Sequence, residues 1–497
     1  MTAQTNWHEA ANALTFKNQS FIDGKFVSAV DGREFDAINP ATGRVLASVA
    51  SCDVADVDIA VRSARRAFES GVWSRRTPAE RKKVLQRFAE LMYKHADELA
   101  LLETLNMGKP IGDARSVDVP GSANTIAWYA EAADKMYDEI APTGPGALGM
   151  ITREPVGVVA AVVPWNFPLL MSCWKLGPAL ATGNSVILKP AEQSPLSALR
   201  LAELASEADV PDGVFNVVTG FGETAGRALG LHMDVDIVTF TGSTEVGKLF
   251  MGYSGQSNLK RIALECGGKT PHIVMADCGN LDEAATAAAF GIFFNQGEVC
   301  NAGSRLLVDR KIKDEFLEKV IRVGQTLRPG DPLDPNTKMG AIVSKGQMDR
   351  VLDYIAVGTN EGAKLLSGGK QTLTESGGYF VEPTVFDNVD NSMRIAQEEI
   401  FGPVLSTITF GDAEEAVRIA NDTIYGLAAA VWTDNINTAL NTARRLRAGS
   451  VWVNNFDESN ITVPFGGYKQ SGFGRDKSLH ALDKYTELKT TWVKLTA

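Results

Sequence analysis

The sequence predicts an α/β protein in which two doubly wound parallel sheets are followed by a small terminal β element. Between residues 156 and 252, apolar runs of strand length alternate with helical segments, an order typical of a parallel sheet covered on both faces. A second, shorter alternation occupies residues 272–327, which indicates another α/β unit. An isolated strand-like run closes the chain at residues 486–495, and such a strand needs an edge to pair with.

Before the first alternation, the chain predicts hairpins and a long helix. Residues 19–50 alternate in polarity around the turn pairs 23–24 and 31–32, which indicates small hairpins. Residues 77–80 form a capping box with proline at the first helical position, so we expect a helix from there to about Gly108.

The two alternating regions define the remaining elements. In the first region, strands are expected at 156–163, 185–188, 214–218 and 235–240, with helices near 168–181, 195–208, 223–231 and 244–252. In the second region, strands are expected at 272–275 and 305–308, with helices near 281–295 and 312–327. No internal repeat or linker is evident, and residues 263–271 are the best candidate for a join between domains.

Composition excludes several classes of function. The chain has 497 residues, 44% hydrophobic, which is ample for a large core and several domains. Its net charge of −11 disfavours nucleic acids and anionic membranes as partners, because both need a positive field. The longest apolar stretches, 156–165 and 284–294, fall short of the roughly 18–20 residues that span a bilayer. Residues 1–12 show no secretory signal, so we expect a cytoplasmic globular protein.

Cysteine and histidine usage argues against disulfides and metals. The five cysteines are odd in number and include no Cys-x-x-Cys pair, so a disulfide framework is not expected. The five histidines form no metal-ligand spacing with them or with each other, and no metal site is expected.

Turns at strand ends are candidates for binding a dinucleotide phosphate. One is the glycine-rich run 220–226, and the other is 240–247, where Ser243 can cap a helix while its neighbours offer N–H groups. Lys189 and Glu192 follow another strand, where the carboxylate can accept from ribose hydroxyls and would repel a 2′-phosphate, favouring NAD over NADP. The alternatives are a plain strand–helix turn for the first run and an exposed ion pair for Lys189 and Glu192.

A cysteine and a glutamate are the candidates for chemistry. Cys300 follows an apolar helical stretch and a glycine, and such a cysteine is nucleophilic if its surroundings lower its pKa. Glu265 ends an apolar strand against two glycines that would let a ligand come close, and it could act as a general base for water. The alternatives are an inert buried cysteine, and a carboxylate that pairs with Lys269 or a helix N-terminus. No histidine lies near Cys300 in sequence.

Four motifs in order resemble the NAD(P)-dependent aldehyde dehydrogenase superfamily. They are Pro164-Trp165-Asn166-Phe167-Pro168, the run Leu264 to Lys269 (LECGGK), the run Phe294 to Cys300 (FNQGEVC), and the run Glu398 to Pro403 (EEIFGP). The resemblance extends from about residue 20 to 495. The runs 464–472 and 474–478 further resemble the bacterial aminoaldehyde branch, which includes γ-glutamyl-γ-aminobutyraldehyde and 4-guanidinobutyraldehyde dehydrogenases.

The resemblance implies two Rossmann-like doubly wound domains plus a small β oligomerisation element. On it, residues 1–135 and 155–265 form a discontinuous NAD-binding domain, and residues 266–465 form the catalytic domain. Residues 136–154 and 478–497 form the oligomerisation element. In this family the terminal strand joins a sheet of a neighbouring subunit, so a homodimer or homotetramer is expected.

The resemblance also implies a mechanism of aldehyde oxidation to a carboxylic acid. Cys300 is the nucleophile that forms a thiohemiacetal and then a thioester. Asn166 and the Cys300 N–H hold the oxyanion, and Glu265 activates the hydrolytic water. Lys175 is a proton relay to Glu265 on resemblance only, with a solvent-facing helix lysine as the alternative.

The cofactor positions of the family carry over residue by residue, with NAD expected and NADP a weaker alternative. They are Trp165, Lys189, Glu192, Gly222, Gly242, Ser243, Glu399 and Phe401. Lys189 and Glu192 would bind the adenine ribose, and Glu399 the nicotinamide ribose. One departure is Asp476, where many relatives carry glutamate, so a relay role for this shorter side chain is in doubt.

The substrate is expected to be an ω-amino, γ-glutamylamino or ω-guanidino aldehyde. Phe167, Met171 and Trp174 have helical spacing beside Asn166 and are expected to line its entry, although such a stripe is ordinarily core. Asp118 and Asp457 resemble the family's substrate mouth and would hold a distal cation, the alternative being ordinary surface acids.

Three other functions remain open at this point. A broad-specificity or betaine-type aldehyde dehydrogenase would share the same machinery. Another NAD enzyme, such as an alcohol dehydrogenase, would need a catalytic metal or a Tyr–Lys pair, and the sequence offers no convincing constellation for either. A non-catalytic protein that retains the fold is the third.

Overall fold

The computed structural model describes residues 5–496. The expected domain segments 1–135 and 478–497 each extend beyond this range, and residues 1–4 and 497 lie outside the described residues. The helices are α1 (Trp7–Ala13), α2 (Val54–Ser70), α3 (Pro78–Lys94), α4 (Ala96–Met107), α5 (Ile111–Asp113), α6 (Val119–Ala132), α7 (Pro168–Ala181), α8 (Leu196–Glu207), α9 (Arg227–Leu231), α10 (Thr244–Gly255), α11 (Leu281–Phe293), α12 (Lys313–Gly324), α13 (Lys345–Asn360), α14 (Arg394–Gln397), α15 (Ala413–Asn421) and α16 (Ile436–Arg445).

The strands are β1 (Ser20–Ile22), β2 (Lys25–Val27), β3 (Glu34–Asn39), β4 (Arg44–Ala50), β5 (Glu139–Ala141), β6 (Ala147–Pro155), β7 (Val158–Val162), β8 (Ser185–Lys189), β9 (Phe215–Val217), β10 (Ile237–Gly242), β11 (Arg261–Cys266), β12 (Pro271–Val274), β13 (Arg305–Asp309), β14 (Lys364–Ser367), β15 (Gln371–Thr372), β16 (Phe380–Val381), β17 (Thr384–Asp387), β18 (Val404–Phe410), β19 (Ala428–Trp432), β20 (Ser450–Val453), β21 (Gly472–Phe473) and β22 (Thr486–Lys494).

Two large sheets confirm the predicted α/β class. The first has the order β2-β1-β9-β8-β7-β10-β11-β21, and its strands from β9 to β11 are parallel. The second has the order β14-β17-β18-β13-β12-β19-β20, and its strands from β17 to β20 are parallel. The chain passes from the first sheet to the second between the end of β11 and the start of β12, within residues 263–271.

Both faces of each parallel sheet are covered, because successive side chains of a strand point to opposite faces. In β7, Val159 and Ala161 pack with residues of α7 and α8, whereas Val158 and Ala160 pack with residues of α2. In the second sheet, Ile273 packs on the side of α13 and α15, and the next residue, Val274, packs on the side of α11 and α12.

The predicted hairpins and helix are found with two differences. The turn at 23–24 joins β1 to β2 as expected, but the turn at 31–32 leads into β3, and the second hairpin turns at 40–43 instead. The capping box at Thr77 and Glu80 opens α3, but the helix is interrupted at His95 and resumes as α4, which ends at Gly108. The interruption separates an amphipathic helix from one whose residues are almost all buried.

The terminal strand pairs within its own chain. β22 lies antiparallel to β6 over nine residues, from Thr486 opposite Pro155 to Lys494 opposite Ala147, and β5 adds the third strand. The edge that this strand needs is therefore supplied on one side by β6 of the same chain, and its joining a sheet of a neighbouring subunit stays a prediction. Leu488 and Trp492, on one face of the strand, are more than 60% exposed. No helix within residues 5–496 has the length and apolar character needed to cross a bilayer.

Candidate active site

A cavity of about 640 Å³ lies where the carboxyl ends of the first sheet meet loops of the second. Most of the residues singled out from the sequence line it, namely Trp165, Asn166, Phe167, Met171, Trp174, Gly242, Ser243, Glu265, Cys300, Glu399, Phe401 and Asp457. Five others do not line it, namely Asp118, Lys175, Lys189, Glu192 and Gly222. The cavity therefore collects the two chemical candidates and residues proposed for both cofactor and substrate.

Cys300 is presented by a tightly held loop between α11 and β13. The loop begins with a 3₁₀ turn in which Asn295 and Gln296 have φ values of +48° and +59°. The Gly340 N–H donates to the Gln296 side chain at 2.8 Å, and the Val343 N–H donates to Glu298 at 3.1 Å. Cys300 is partly exposed, whereas the other four cysteines are buried. Cys300 is therefore the least enclosed of the five cysteines, and its reactivity stays a prediction.

The surroundings of Cys300 favour its neutral thiol. Burial raises the pKa of Cys300, and the nearby carboxyl groups of Glu399, Asp457 and Glu265 raise it further. The thiol must therefore lose its proton as it reacts. No histidine among residues 5–496 lines the cavity, and His272 is buried in a stack on Phe456 with its pKa lowered by burial to about 3.

Two hydrogen-bond donors lie beside the thiol. The Asn166 amide nitrogen donates to the Glu298 carbonyl at 2.8 Å, and this side chain is buried in the cavity wall. An amide nitrogen has two N–H groups, so one remains available to a ligand. Within residues 5–496 the Cys300 N–H has no hydrogen-bond partner. Together these donors can hold an oxygen that develops negative charge next to the sulfur.

Glu265 is an unpaired carboxyl group at the end of β11. Its backbone is fixed between Thr241 of β10 and Gly472 of β21, and its side chain is buried with neither oxygen hydrogen-bonded to the described residues. Lys269 is not its partner, because the Lys269 ammonium makes no hydrogen bond either. A Cβ at Gly466 would lie 2.7 Å from Glu265 Oε1, so that glycine leaves the room in which the carboxyl group sits.

The pKa of Glu265 is set by burial and by charges behind it. Burial raises this pKa well above its usual value, Asp476 raises it further, and Lys175, Lys484 and Arg475 lower it. A carboxyl group whose pKa is moved toward neutrality is a stronger base than an ordinary glutamate.

Lys175 and Lys484 both pair with Asp476. Lys175 Nζ bonds Asp476 Oδ2, and Lys484 Nζ bonds Asp476 Oδ1. Lys175 is 1% exposed, so the alternative of a solvent-facing helix lysine is wrong, although the residue itself is behind the cavity wall. Asp476 lines the cavity, and despite its burial the two lysines hold its pKa below the usual range. The aspartate is thus long enough to reach both cations.

The two glycines after Glu265 make room for protein rather than for a ligand. A Cβ at Gly267 would lie 1.9 Å from the Glu399 carboxylate, and a Cβ at Gly268 would lie 2.7 Å from the Cys300 carbonyl oxygen. The Gly268 N–H donates to Glu399 at 3.1 Å. Burial raises the pKa of Glu399 to about 7. These glycines therefore bring Glu265, Glu399 and Cys300 together.

The carboxyl edge of the first sheet carries the residues expected to bind the adenine ribose and the phosphates of a dinucleotide. Lys189 ends β8, is buried, and lies 3.3 Å from the Glu192 carboxylate, so the exposed ion pair considered above is wrong. Ser243 caps α10 by accepting from the Val246 N–H at 3.2 Å. The run 222–226 is a π-helical turn. No protein atom lies within 4 Å of a Cβ placed at Gly222, so a ligand has space to approach the backbone there.

Sequence reasoning missed two residues that hold the cofactor side of the cavity. Gln347 and Arg350 of α13 line it. Gln347 donates to the Phe401 carbonyl at 2.8 Å, and Arg350 donates to the Glu399 carbonyl at 3.1 Å. The Phe401 ring meets Trp165 edge-on at 5.1 Å between centroids. No local motif marks these two residues, because α13 is distant in sequence from the loop that carries Glu399 and Phe401 and meets it only in the folded protein.

An aromatic wall lines the other side of the cavity. Phe167 precedes α7, and Met171 and Trp174 lie on that helix, so the stripe borders the cavity rather than belonging wholly to the core. Phe465, which the sequence did not indicate, meets Trp174 edge-on at 5.3 Å between centroids. Asp457 is on the same cavity surface and accepts from the Asn301 side chain at 2.6 Å. Burial raises the Asp457 pKa to about 6.

Asp118 is not at the substrate mouth. Its side chain is completely buried and pairs with Lys109, whose ammonium lies 4.1 Å from the centre of the Phe167 ring. Both the expectation that Asp118 contacts a substrate cation and the alternative of a surface acid are wrong. The pair supports the aromatic wall from behind. Among the described residues no cluster of potential metal ligands is present.

Comparison with known proteins identifies relatives that share this chain's sequence and fold. Residues 26–491 match the family described as the aldehyde dehydrogenase family. The NADP/NAD-dependent aldehyde dehydrogenase PuuC of Escherichia coli K12 is 53% identical, with 99% of this chain and 98% of the relative covered. A crystal structure of indole-3-acetaldehyde dehydrogenase with NAD+ has a TM-score of 0.98 at 62% identity, covering 98% of this chain and 99% of the other.

A third relative is γ-glutamyl-γ-aminobutyraldehyde dehydrogenase from Burkholderia cenocepacia J2315. Its structure has a TM-score of 0.97 at 59% identity, and 99% of each chain is covered. The likeness therefore extends over nearly the whole chain and includes every loop that lines the cavity.

Proposed function

The chain belongs to the aldehyde dehydrogenase family and oxidises aldehydes with a nicotinamide dinucleotide, and on that premise we propose that Cys300 is its nucleophile and Glu265 its hydrolytic base. One observation carries this assignment. Cys300, Asn166 and Glu265 share a single cavity with the residues proposed to hold the nicotinamide, Trp165, Glu399 and Phe401.

Acylation begins when the Cys300 sulfur attacks the aldehyde carbon. The thiol gives its proton to solvent water, a C–S bond forms as the C=O π bond breaks, and the carbonyl oxygen becomes an oxyanion that the Asn166 amide and the Cys300 N–H stabilise. When bound, the dinucleotide supplies the hydride acceptor. Loss of hydride from the thiohemiacetal carbon leaves a thioester on Cys300.

Deacylation depends on Glu265. Its raised pKa and its unpaired oxygens suit it to take a proton from the water that attacks the thioester, which releases the acid and the Cys300 thiolate. Lys175, Asp476 and Lys484 lie behind Glu265 and set the charge that it experiences. We assign these three residues a positioning role.

NAD is the preferred cofactor in this proposal. Glu192 would accept from the adenine ribose hydroxyls beside Lys189 and would repel a 2′-phosphate. The relative PuuC is named for both NADP and NAD, so preference rather than exclusion is expected. In Glu192→Gln, kcat/KM for NAD divided by kcat/KM for NADP should decrease. An unchanged ratio would contradict the role assigned to Glu192.

The substrate we propose is an ω-amino, γ-glutamylamino or ω-guanidino aldehyde. The names of the relatives support an aminoaldehyde, and the presence of Asp457, Trp174 and Phe465 in the wall of one cavity supports recognition of a cation. Asp457→Asn should lower kcat/KM for 4-guanidinobutyraldehyde more than for a neutral aldehyde of equal length. Equal losses on both would favour a broad-specificity enzyme.

We also propose that the small sheet assembles the chain into a dimer or tetramer. Trp492 and Leu488 on β22 and Ile140 on β5 are more than 60% exposed, and β22 and β5 each have a free edge. Light scattering at micromolar concentration should give a multiple of the chain mass. A monomer, or an unchanged state in Trp492→Glu, would contradict the proposal.

The test of the chemistry compares two cysteines. Cys300→Ala should abolish formation of reduced nicotinamide from any aldehyde in a panel while NAD binding persists. Cys278→Ala, a matched change at a buried cysteine outside the cavity, should retain turnover. Turnover by Cys300→Ala would overturn the assignment, and no turnover by the unmodified chain would indicate a non-catalytic protein.

A further inference from the structure

Lys477 is an ammonium in the cavity wall that the sequence analysis did not single out. It follows Asp476, has a positive φ of 61°, and is only 6% exposed. Its Nζ lies 5.5 Å from the centre of the Trp174 ring and donates to the Ser459 hydroxyl. Lys477, Trp174 and Ser459 all line the cavity, so the ammonium lies at the cavity surface next to the aromatic wall.

This ammonium lacks a direct carboxylate partner among residues 5–496. The comparably buried Lys109 and Lys175 each contact an aspartate, whereas the contacts of Lys477 are a hydroxyl and an aromatic ring. Burial lowers the pKa of Lys477, and Asp457 on the same wall raises it, but this carboxylate makes no direct ion pair with Lys477 and accepts from the Asn301 side chain instead. Burying an ammonium without a direct ion pair is costly, and its three N–H groups exceed the one acceptor it contacts.

The charged groups in this cavity wall differ from the two aspartates that the sequence predicted for binding a substrate cation. Asp118 pairs with Lys109 and does not line the cavity, whereas Lys477 lines it and carries a positive charge. A substrate with only a terminal guanidinium would bring a second positive charge next to Lys477. A substrate that also carries a carboxylate would supply the direct ion pair that Lys477 lacks among the described residues.

We propose that Lys477 is a specificity-determining residue that binds a carboxylate at the end of the substrate remote from the aldehyde. This rests on the proposed function and narrows it to aldehydes that carry an amino-acid carboxylate, of which a γ-glutamylamino aldehyde is the member among the three classes above. The ammonium of the same group can then face Asp457.

The experiment compares two substrates that differ in one charge. They are 4-(γ-glutamylamino)butanal and the same molecule with its α-carboxylate replaced by a carboxamide, each assayed with the unmodified chain, Lys477→Met and Lys477→Arg. Each preparation is also assayed with hexanal, whose oxidation shows that the enzyme is folded and reactive, and the ratio of the two substrates within one preparation does not depend on its active-site concentration.

The unmodified chain should prefer the carboxylate over the carboxamide by about tenfold or more in kcat/KM, the scale of a charge-assisted hydrogen bond in a partly closed site. Lys477→Met should bring that ratio close to one, and Lys477→Arg should keep most of it. A ratio near one in the unmodified chain, or an unchanged ratio in Lys477→Met, overturns the inference. Absence of reduced nicotinamide from hexanal with the unmodified chain would instead overturn the proposed function.

Discussion

Lys175 and Asp476 form an ion pair that is closed to solvent, with side chains 1% and 0% exposed, directly behind Glu265. The pair joins α7, which carries the aromatic wall, to the segment that follows β21. Its cation lowers the pKa of Glu265 and its anion raises it, so the base is balanced between two opposite charges.

Removing the cation should move the pH profile of deacylation upward. In Lys175→Met the pKa of Glu265 loses a lowering influence, so less of the carboxylate form exists at neutral pH. We expect kcat to fall at neutral pH and to recover as the pH rises. Lys484→Met should act in the same direction but more weakly, because the more exposed Lys484 is the smaller influence. The measurement is kcat against pH, and a uniform loss at every pH would indicate a merely structural role.

Glu265→Gln should separate the two halves of the reaction. Acylation does not need this base, so one reduced nicotinamide per active site should form rapidly and turnover should then stall. General-base catalysis is typically worth about 100- to 10,000-fold, which sets the expected drop in the steady-state rate. Rapid mixing followed by absorbance of the reduced cofactor measures both phases. Steady turnover at the original rate would exclude Glu265 as the base.

Asn166 and Asn295 provide a matched pair for testing the oxyanion site. Both side chains donate to the Glu298 carbonyl, at 2.8 and 3.2 Å, but only Asn166 lines the cavity. Asn166→Ala should slow the burst by about 100- to 1,000-fold, the usual effect of losing one oxyanion donor. Asn295→Ala should slow it far less. Equal losses would mean that Asn166 acts by holding the Glu298 carbonyl.

Asp118→Asn should destabilise the protein without changing substrate preference. The change leaves the Lys109 ammonium buried and unpaired, which typically costs about 3–5 kcal/mol. We expect a lower Tm by calorimetry, while the ratio of kcat/KM for 4-guanidinobutyraldehyde and a neutral aldehyde of equal length stays the same. A change in that ratio with an unaltered Tm would indicate that Asp118 contacts the substrate after all.

The parts of the site that the sequence predicts are those attached to strand ends. Cys300, Asn166 and Glu265 each occupy a short motif next to a buried apolar run, and the parallel sheets bring these ends to one cavity. The order of strands and helices is predictable for the same reason, because side-chain periodicity is a local property of the chain.

What the sequence did not predict depends on contacts between distant segments. The sequence does not show that Asp118 pairs with Lys109 instead of lining the substrate entrance. It also does not show that Lys175 is buried against Asp476, which is 301 residues away. Lys477 has no motif that distinguishes it from a surface lysine. The glycines at 267–268 are conspicuous in sequence, but only the fold shows that the Glu399 side chain and the Cys300 carbonyl fill the space they leave.

The pairing of β22 with β6 has a consequence for how the chain is made. β6 precedes the whole parallel core of the first sheet, yet its partner strand is synthesised after both large parallel sheets. Asp476 and Lys484 belong to the same late segment. While residues 472–494 are still inside the ribosome, β6 and β11 each have an open edge, and Glu265 lacks the influence of Asp476 and Lys484. Enzymatic competence must therefore await the emergence of this segment.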